Sequence, residues 1–221
     1  MPRLLPCADS AVLVSFTGEP DAAARAAALD AQLLAAPPAG VAELVPGLES
    51  VLVLVDGSRP LRAVRAALAE MLETSRGRAP DRRADRDGHP AVLAVSFGGV
   101  DGPDLEVVAG LAGTDAGGVV ALVTAAPLTV ALVGHLPGLP YLVGLPADLD
   151  IPRRAAPRPA VAAGSVGIAR GMACVYPVRA PAGWHVVGRT DARLCDLDRD
   201  PPFLLGRGDR VQLVAAPPRR D

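Results

Sequence analysis

The chain has 221 residues, half of them hydrophobic, and a net charge of −2; it is long enough to bury a sizeable core in one large or two small domains and offers no basic surplus for nucleic acid or an anionic membrane. All 22 basic residues are arginine, which excludes a phosphate-loop lysine, a Schiff-base lysine and a kinase-type lysine on ATP phosphates. No apolar run approaches bilayer-spanning length and no cleavable leader opens the sequence, so a soluble cytoplasmic protein is expected.

In chain order, Ala11 to Phe16 alternates and is rich in Val and Leu, the signature of a strand. Asp21 to Ala36 is alanine-rich and bracketed by Pro20 and Pro37-Pro38, which predicts a helix with defined ends. Val41 to Val45 and Ser50 to Val55 read as short strands about the Pro46-Gly47 turn, and Ser58 to Thr74 as a second helix with Leu61, Val64, Leu68, Met71 and Leu72 along one face. With Ala91 to Ser96 as a further strand, the order becomes the ferredoxin-like split βαβ arrangement. Residues 75–88, charged in both signs, cannot bury enough surface to offset their ordering and are expected to be a solvated linker. Five arginines there could mark a nucleic-acid patch, but the interleaved Asp81, Asp85 and Asp87 favour the plain reading.

Beyond the linker, the stretch from Gly102 to Ala109 and that from Asp115 to Val123 predict two short helices. From Leu128 the pattern changes to short β-like runs divided by Pro and Gly: Thr129 to Val133, Val166 to Ala169, Cys174 to Val178, Trp184 to Gly188 and Arg210 to Val214. Many short strands with frequent turns point to a barrel or sandwich. The expected class is α+β, with an N-terminal ferredoxin-like domain over 1–86 and a barrel domain over 89–221; the strand at Ala91 to Ser96 fits either.

Cys7, Cys174 and Cys195, and His89, His135 and His185, are too widely scattered for a disulfide framework or a metal site, so no metal is expected. The densest signals run from Gly134 to Thr190: Gly134-His-Leu-Pro-Gly-Leu-Pro-Tyr-Leu142, Pro152-Arg-Arg154, Pro157-Arg158, Ala163-Gly-Ser-Val-Gly-Ile168, Val175-Tyr-Pro177, Pro181-Ala-Gly-Trp184 and Gly188-Arg-Thr190. Glycine permits positive φ and close approach, proline fixes φ, and together they form a stiff rim that presents Arg, Tyr and Trp.

Ala163-Gly-Ser-Val-Gly167 could pass for a nucleophile elbow with Ser165 as the hydroxyl, but that motif needs a helix after the serine and no base partner is visible, so a tight turn is favoured. Arg153, Arg158 and Arg189 are suited to a carboxylate or phosphate, with salt bridging inside the rim as the equal alternative. Tyr141 and Trp184 could line a pocket, whereas Tyr176, inside a strand, reads as core. His135 could act as a general base, although a lone histidine beside a Pro-Gly turn is more often structural or exposed. No catalytic residue is assigned.

The pieces, in order and spacing, resemble the family that includes the B subunit of 5-oxoprolinase, the allophanate hydrolase subunit 1 or carboxyltransferase domain, and the kinase inhibitor KipI. The resemblance extends more loosely to Asp9 to Val14, Val45 to Ser50 and Gly102 to Leu105. It implies a cyclophilin-like β-barrel for the C-terminal domain. It further implies the B component of an ATP-dependent 5-oxoprolinase, opening 5-oxoproline to L-glutamate with A and C subunits and inactive alone. In that setting His135, Pro137, Gly138, Tyr141, Arg153, Arg158, Ser165, Trp184, Arg189 and Thr190 would contact substrate or partner. The chain alone would hold no cofactor, and ATP would serve the assembled complex. An alternative from the same resemblance is a non-enzymatic inhibitor of a sensor histidine kinase, and a weaker one a component of urea degradation through allophanate. The chain departs from the family at His135 and Leu139 (usually Phe), Val123 (usually His), Met172-Ala173-Cys174 (usually Gln-Thr-Gly) and Ala182 (usually Gly), which would remove polar groups from a substrate site.

Overall fold

Residues 2–74 and 89–217 are described by the structure, a computed structural model, and the chain divides into two units, Met1–Arg82 and Arg83–Asp221. The linker expected over 75–88 lies outside the described residues. In the first unit the order is β1 (Arg3–Cys7), β2 (Ala11–Ser15), α1 (Ala22–Ala35), β3 (Val41–Pro46), β4 (Ser50–Val55) and α2 (Leu61–Thr74). The sheet order is β1-β2-β4-β3, antiparallel throughout. Val12 and Val14 of β2 and Val51 and Val53 of β4 alternate inward and meet Ala26, Leu29 and Leu33 of α1 and Val64 and Leu68 of α2. The period of two on the strands and three to four on the helices puts all of these side chains on one buried layer.

Two expectations change here. Strand β1 is not anticipated by the sequence pattern, because Pro6 interrupts it; proline is accommodated since, among the described residues, β1 is an edge strand paired with β2 alone. Ala91 to Ser96 does not complete this sheet. The place beside β2 is taken by β1 through a tight turn at residues 8–10, a much shorter closure than a strand returning after residue 88 would need.

The second unit contains β5 (Ala91–Phe97), α3 (Leu105–Ala112), α4 (Ala116–Ala125), β6 (Leu128–Val133), β7 (Pro140–Val143), a 3₁₀ turn (Ala147–Leu149), β8 (Arg158–Val161), β9 (Ser165–Ala169), β10 (Met172–Val175), β11 (Ala180–Ala182), β12 (His185–Thr190) and β13 (Arg210–Ala215). Seven strands close a barrel in the order β10-β7-β6-β13-β5-β12-β9, and β8 and β11 form a separate two-stranded sheet. Among the described residues only the β13–β5 pair of the barrel is parallel. Leu93 and Val95 of β5 point into the barrel with Val130, Leu142, Ile168, Val187 and Leu213, and α3 and α4 add Val108, Val119 and Val123 to that core. The alternate residues of the strands build a second apolar cluster: Leu139, Val161, Ala169, Cys174, Tyr176, Ala180, Ala182, Trp184 and Val186. Both faces of β9 and β10 are therefore buried, which explains why their sequences read as nearly continuous apolar runs. The strand expected over Cys174 to Val178 ends at Val175. Among the described residues no single helix is long and apolar enough to cross a membrane.

Candidate functional site

The rim is organised by a residue that composition and spacing did not single out. Asp104 stands at the start of α3, where an aspartate would ordinarily cap the helix, yet its side chain makes no capping hydrogen bond. Its carboxylate, in a residue only 2% exposed, turns toward β12 and the segment before β8. Arg154 Nη1 donates to Oδ1 (2.5 Å), Arg158 donates to Oδ1 through Nη2 (2.9 Å) and to Oδ2 through Nη1, and the Val186 N–H donates to Oδ2 (2.8 Å). Burial pushes the Asp104 carboxyl up, and the hydrogen bonds from Arg158 and Val186 with the charges of Arg158 and Arg154 outweigh it, leaving the group below its ordinary value. Arg158 is thus committed to a buried ion pair, the structural alternative for that residue, and a ligand would have to displace Asp104 to use it.

The same clasp isolates Arg153. Ile151 is buried and its carbonyl accepts from the Arg170 N–H (2.7 Å); the Pro152 carbonyl faces His185 Nε2 (3.2 Å); the Arg154 N–H donates to the Gly183 carbonyl (2.9 Å). A carbonyl only accepts, so Nε2 of His185 carries the proton, and its Nδ1 is buried without a partner among the described residues. Between these anchors Arg153 is exposed and has no carboxylate partner among the described residues. Its charge reaches Tyr141, Tyr176 and Cys174. Burial, joined by Cys174, raises the Tyr141 hydroxyl above its ordinary value, and Arg153 opposes that rise. Burial likewise pushes the Cys174 thiol up to about 12 and raises Tyr176.

Tyr141 is half-buried and meets the buried Trp184 edge to face, ring centroids 5.6 Å apart at 67°. Leu136 and Leu139, from the β6–β7 connection, pack on the same cluster. That connection carries His135, exposed at φ 66°, exposed Pro137, and Gly138 at φ 77°. A Cβ on Gly138 would come within 2.9 Å of the Phe203 ring and 3.3 Å of Cys195 Cβ, so this glycine is required both for its backbone angle and for the close approach of residues 195–203.

The remaining predicted residues lie elsewhere. Ser165 opens β9 and pairs with Arg189 of β12, four residues beyond His185, or about 13 Å at strand spacing. Arg189 Nε donates to the Ala163 carbonyl (2.9 Å), its Nη1 lies 4.0 Å from Asp101, and the Thr190 hydroxyl accepts from the Ala192 N–H (3.2 Å). Arg189 and Thr190 also line a shallow cleft of about 220 Å³ with Ser96 and Ala216. Gly164 has φ 82°, and a Cβ there would fall 2.0 Å from the Thr190 carbonyl oxygen. A strand, not a helix, follows Ser165, so the glycine-serine segment is a tight turn and not a nucleophile elbow. Tyr176 is buried, as its pattern indicates. Of the predicted rim residues, Tyr141 and Trp184 meet directly, Ser165, Arg189 and Thr190 lie together where β9 pairs with β12, and Arg158 is withdrawn into the Asp104 clasp.

Val123 and Ala173 lie in the barrel core and Cys174 in the second cluster. Met172, the remaining position of the triplet with Ala173 and Cys174, is partly buried and packs on the same second cluster. Among the described residues no three His, Cys, Asp or Glu side chains gather as a metal would require. The rim's own polar chemistry is that of arginine, tyrosine and backbone N–H groups, all of which can face an anion.

Residues 2–205 match the family described as carboxyltransferase domain, subdomain C and D. The chain belongs to that family. It is 39% identical over 176 residues to the B subunit of 5-oxoprolinase from Escherichia coli O157:H7, covering 79% of this chain and 78% of the relative. The crystal structure of TTHA0988 superposes with a TM-score of 0.75 at 30% identity, over 96% of this chain and 40% of that one, so this chain spans about two fifths of a longer protein there. The urea amidolyase of Kluyveromyces lactis shares the fold, with a TM-score of 0.73 at 20% identity over 97% of this chain and 15% of that enzyme.

Proposed function

We propose that this chain is the B component of an ATP-dependent 5-oxoprolinase, in which A and C subunits join it to open 5-oxoproline to L-glutamate. The observation that carries the reading is the 39% identity to the B subunit of a 5-oxoprolinase along four fifths of the chain. With the family goes a cyclophilin-like description of the seven-stranded barrel. The counterpart of this chain occupies only part of TTHA0988, which is how a module that works beside a second one would look when the two are joined.

Opening the lactam adds water across the amide bond, with hydroxyl going to the carbonyl carbon and a proton to nitrogen, and ATP hydrolysis supplies the driving force. This chain's part is binding and orientation. Among the described residues Arg153 offers a cation without a carboxylate partner on a pinned backbone, and Tyr141 a neutral hydroxyl. The substrate-activating groups are assigned to the partners.

The test is to express the chain with and without carboxyltransferase-type C and A subunits and to measure glutamate formed from 5-oxoproline with ATP. Turnover is expected only for the assembled set. Turnover by the chain alone, or co-purification with a histidine kinase and not with the C subunit, would overturn the reading.

A further inference from the structure

We propose that Arg189, with the hydroxyls of Ser96 and Ser165 on either side of it, binds the oxyanion of a small ligand at the cleft beside β5 and β12. The oxyanion chemistry rests on the geometry; naming the ligand as 5-oxoproline, held by its carboxylate, rests on the function proposed above.

Strand register brings the three side chains together. β9, β12 and β5 are neighbours in the barrel, and Arg189 of β12 pairs directly with Ser165 of β9 on one side and with Ser96 of β5 on the other. Directly paired residues point to the same side of a sheet, with Cβ atoms about 4.5–5.5 Å apart. Val95 and Val166, the neighbours of the two serines along their strands, lie in the barrel core, so the row Ser165-Arg189-Ser96 faces outward. Ser96 and Ser165 are only 5% and 4% exposed, yet neither hydroxyl has a hydrogen-bond partner among the described residues. Neither oxygen is among the enclosed unpaired ones, so each still opens to solvent. Buried polar groups of a native fold are ordinarily paired, and two unpaired hydroxyls in register with one guanidinium mark a place where the partner arrives from outside. Arg189 itself is positioned but not spent. Its Nε donates to the Ala163 carbonyl, while its Nη1 is 4.0 Å from Asp101, beyond hydrogen-bond reach, so both Nη groups keep their donors. Asp101 and Asp191 have interactions of their own. Ser96, Arg189 and Asp191 line one cleft with Ala94 and Ala216, and its volume of about 220 Å³ suits a ligand of amino-acid size or a single phosphoryl group. A charged fork flanked by hydroxyl donors matches an oxyanion and leaves a neutral amide one charge short.

The experiment titrates the purified full chain by calorimetry with 5-oxoproline, its carboxamide, L-glutamate and inorganic phosphate. 5-Oxoproline is expected to bind saturably, with the carboxamide at least about 10-fold weaker. Arg189→Met should weaken 5-oxoproline by about 10- to 100-fold, and Ser96→Ala and Ser165→Ala by about 2- to 10-fold each. Ala94→Leu fills the cleft from an exposed position outside the row; it should weaken binding at least about 10-fold with an unchanged melting temperature, which separates a blocked cleft from a lost fold. Equal binding of acid and carboxamide, wild-type affinity in Arg189→Met or Ala94→Leu, or no binding of any oxyanion overturns the site. Arg189-dependent binding of phosphate or L-glutamate with none of 5-oxoproline upholds the site and removes the oxoprolinase reading instead. Turnover of 5-oxoproline by the assembled enzyme at an unchanged KM with Arg189→Met keeps that reading and removes the site.

Discussion

Asp104 holds Val186 twice. Its backbone N–H donates to the Val186 carbonyl (2.9 Å) and its carboxylate accepts from the Val186 N–H (2.8 Å). The start of α3 is thereby stitched to β12 at the register shift between Val186 and Gly188, and the spare carboxylate capacity is filled by Arg154 and Arg158.

Because the Asp104 carboxyl is held below its ordinary value of 3.8, the stability it contributes is fully present above the unfolded value and is lost as pH falls through the folded one. Thermal melts from pH 7 downward should show a loss beginning below about 4. Asp104→Asn should flatten this part of the profile. A variant with the wild-type acid slope would show that the carboxylate is not responsible.

Removing one partner from a buried ion pair strands the others, so Asp104→Asn should cost about 3–5 kcal/mol at pH 7 in denaturant unfolding. Arg158→Ala should be clearly destabilising as well. Arg153→Ala, outside the clasp, should stay within about 0.5 kcal/mol of wild type. Equal losses for the two arginines would contradict the division drawn between them.

Cys174 is buried and its thiol is pushed up to about 12 by that burial, so it holds its proton at neutral pH and makes a poor nucleophile. Under native conditions iodoacetamide should label the partly exposed Cys7 and Cys195 well before Cys174, and all three at similar rates in denaturant. Peptide mass spectrometry distinguishes the sites, and early labelling of Cys174 would show the second cluster to be open.

Gly164→Ala places a methyl 2.0 Å from the Thr190 carbonyl oxygen at a φ of 82°. Strain and overpacking together should cost about 2–5 kcal/mol. Ser165→Ala, at the first residue of β9 just after the Ala163-Gly164 turn, should leave the fold intact. A Gly164→Ala melting temperature equal to wild type would refute the close approach.

What can be read from sequence divides along physical lines. Helices α1 and α2 are legible because Pro20, Pro37 and the spacing of Leu61, Val64 and Leu68 are local signals, and β6, β9, β12 and β13 because their apolar runs are bounded by Pro and Gly. Strand β1 is hidden by Pro6, and β8 and β11, three or four residues long, have too little pattern to register. The Asp104 clasp joins residues 50 and 54 positions apart, and no local rule pairs them. Pro152-Arg153-Arg154 offers two equivalent arginines in sequence; only the fold decides that Arg154 turns inward and Arg153 outward.

The parallel pairing of β13 with β5 sets an order of events during synthesis. Every described strand of the first unit is made before residue 56, so its sheet can assemble early on the ribosome. The barrel cannot close until Arg210–Ala215 has emerged to bridge β5 and β6, and until then both strands present unpaired edges to solvent or to chaperones. The last strand to appear is the one that removes the barrel's sticky seam.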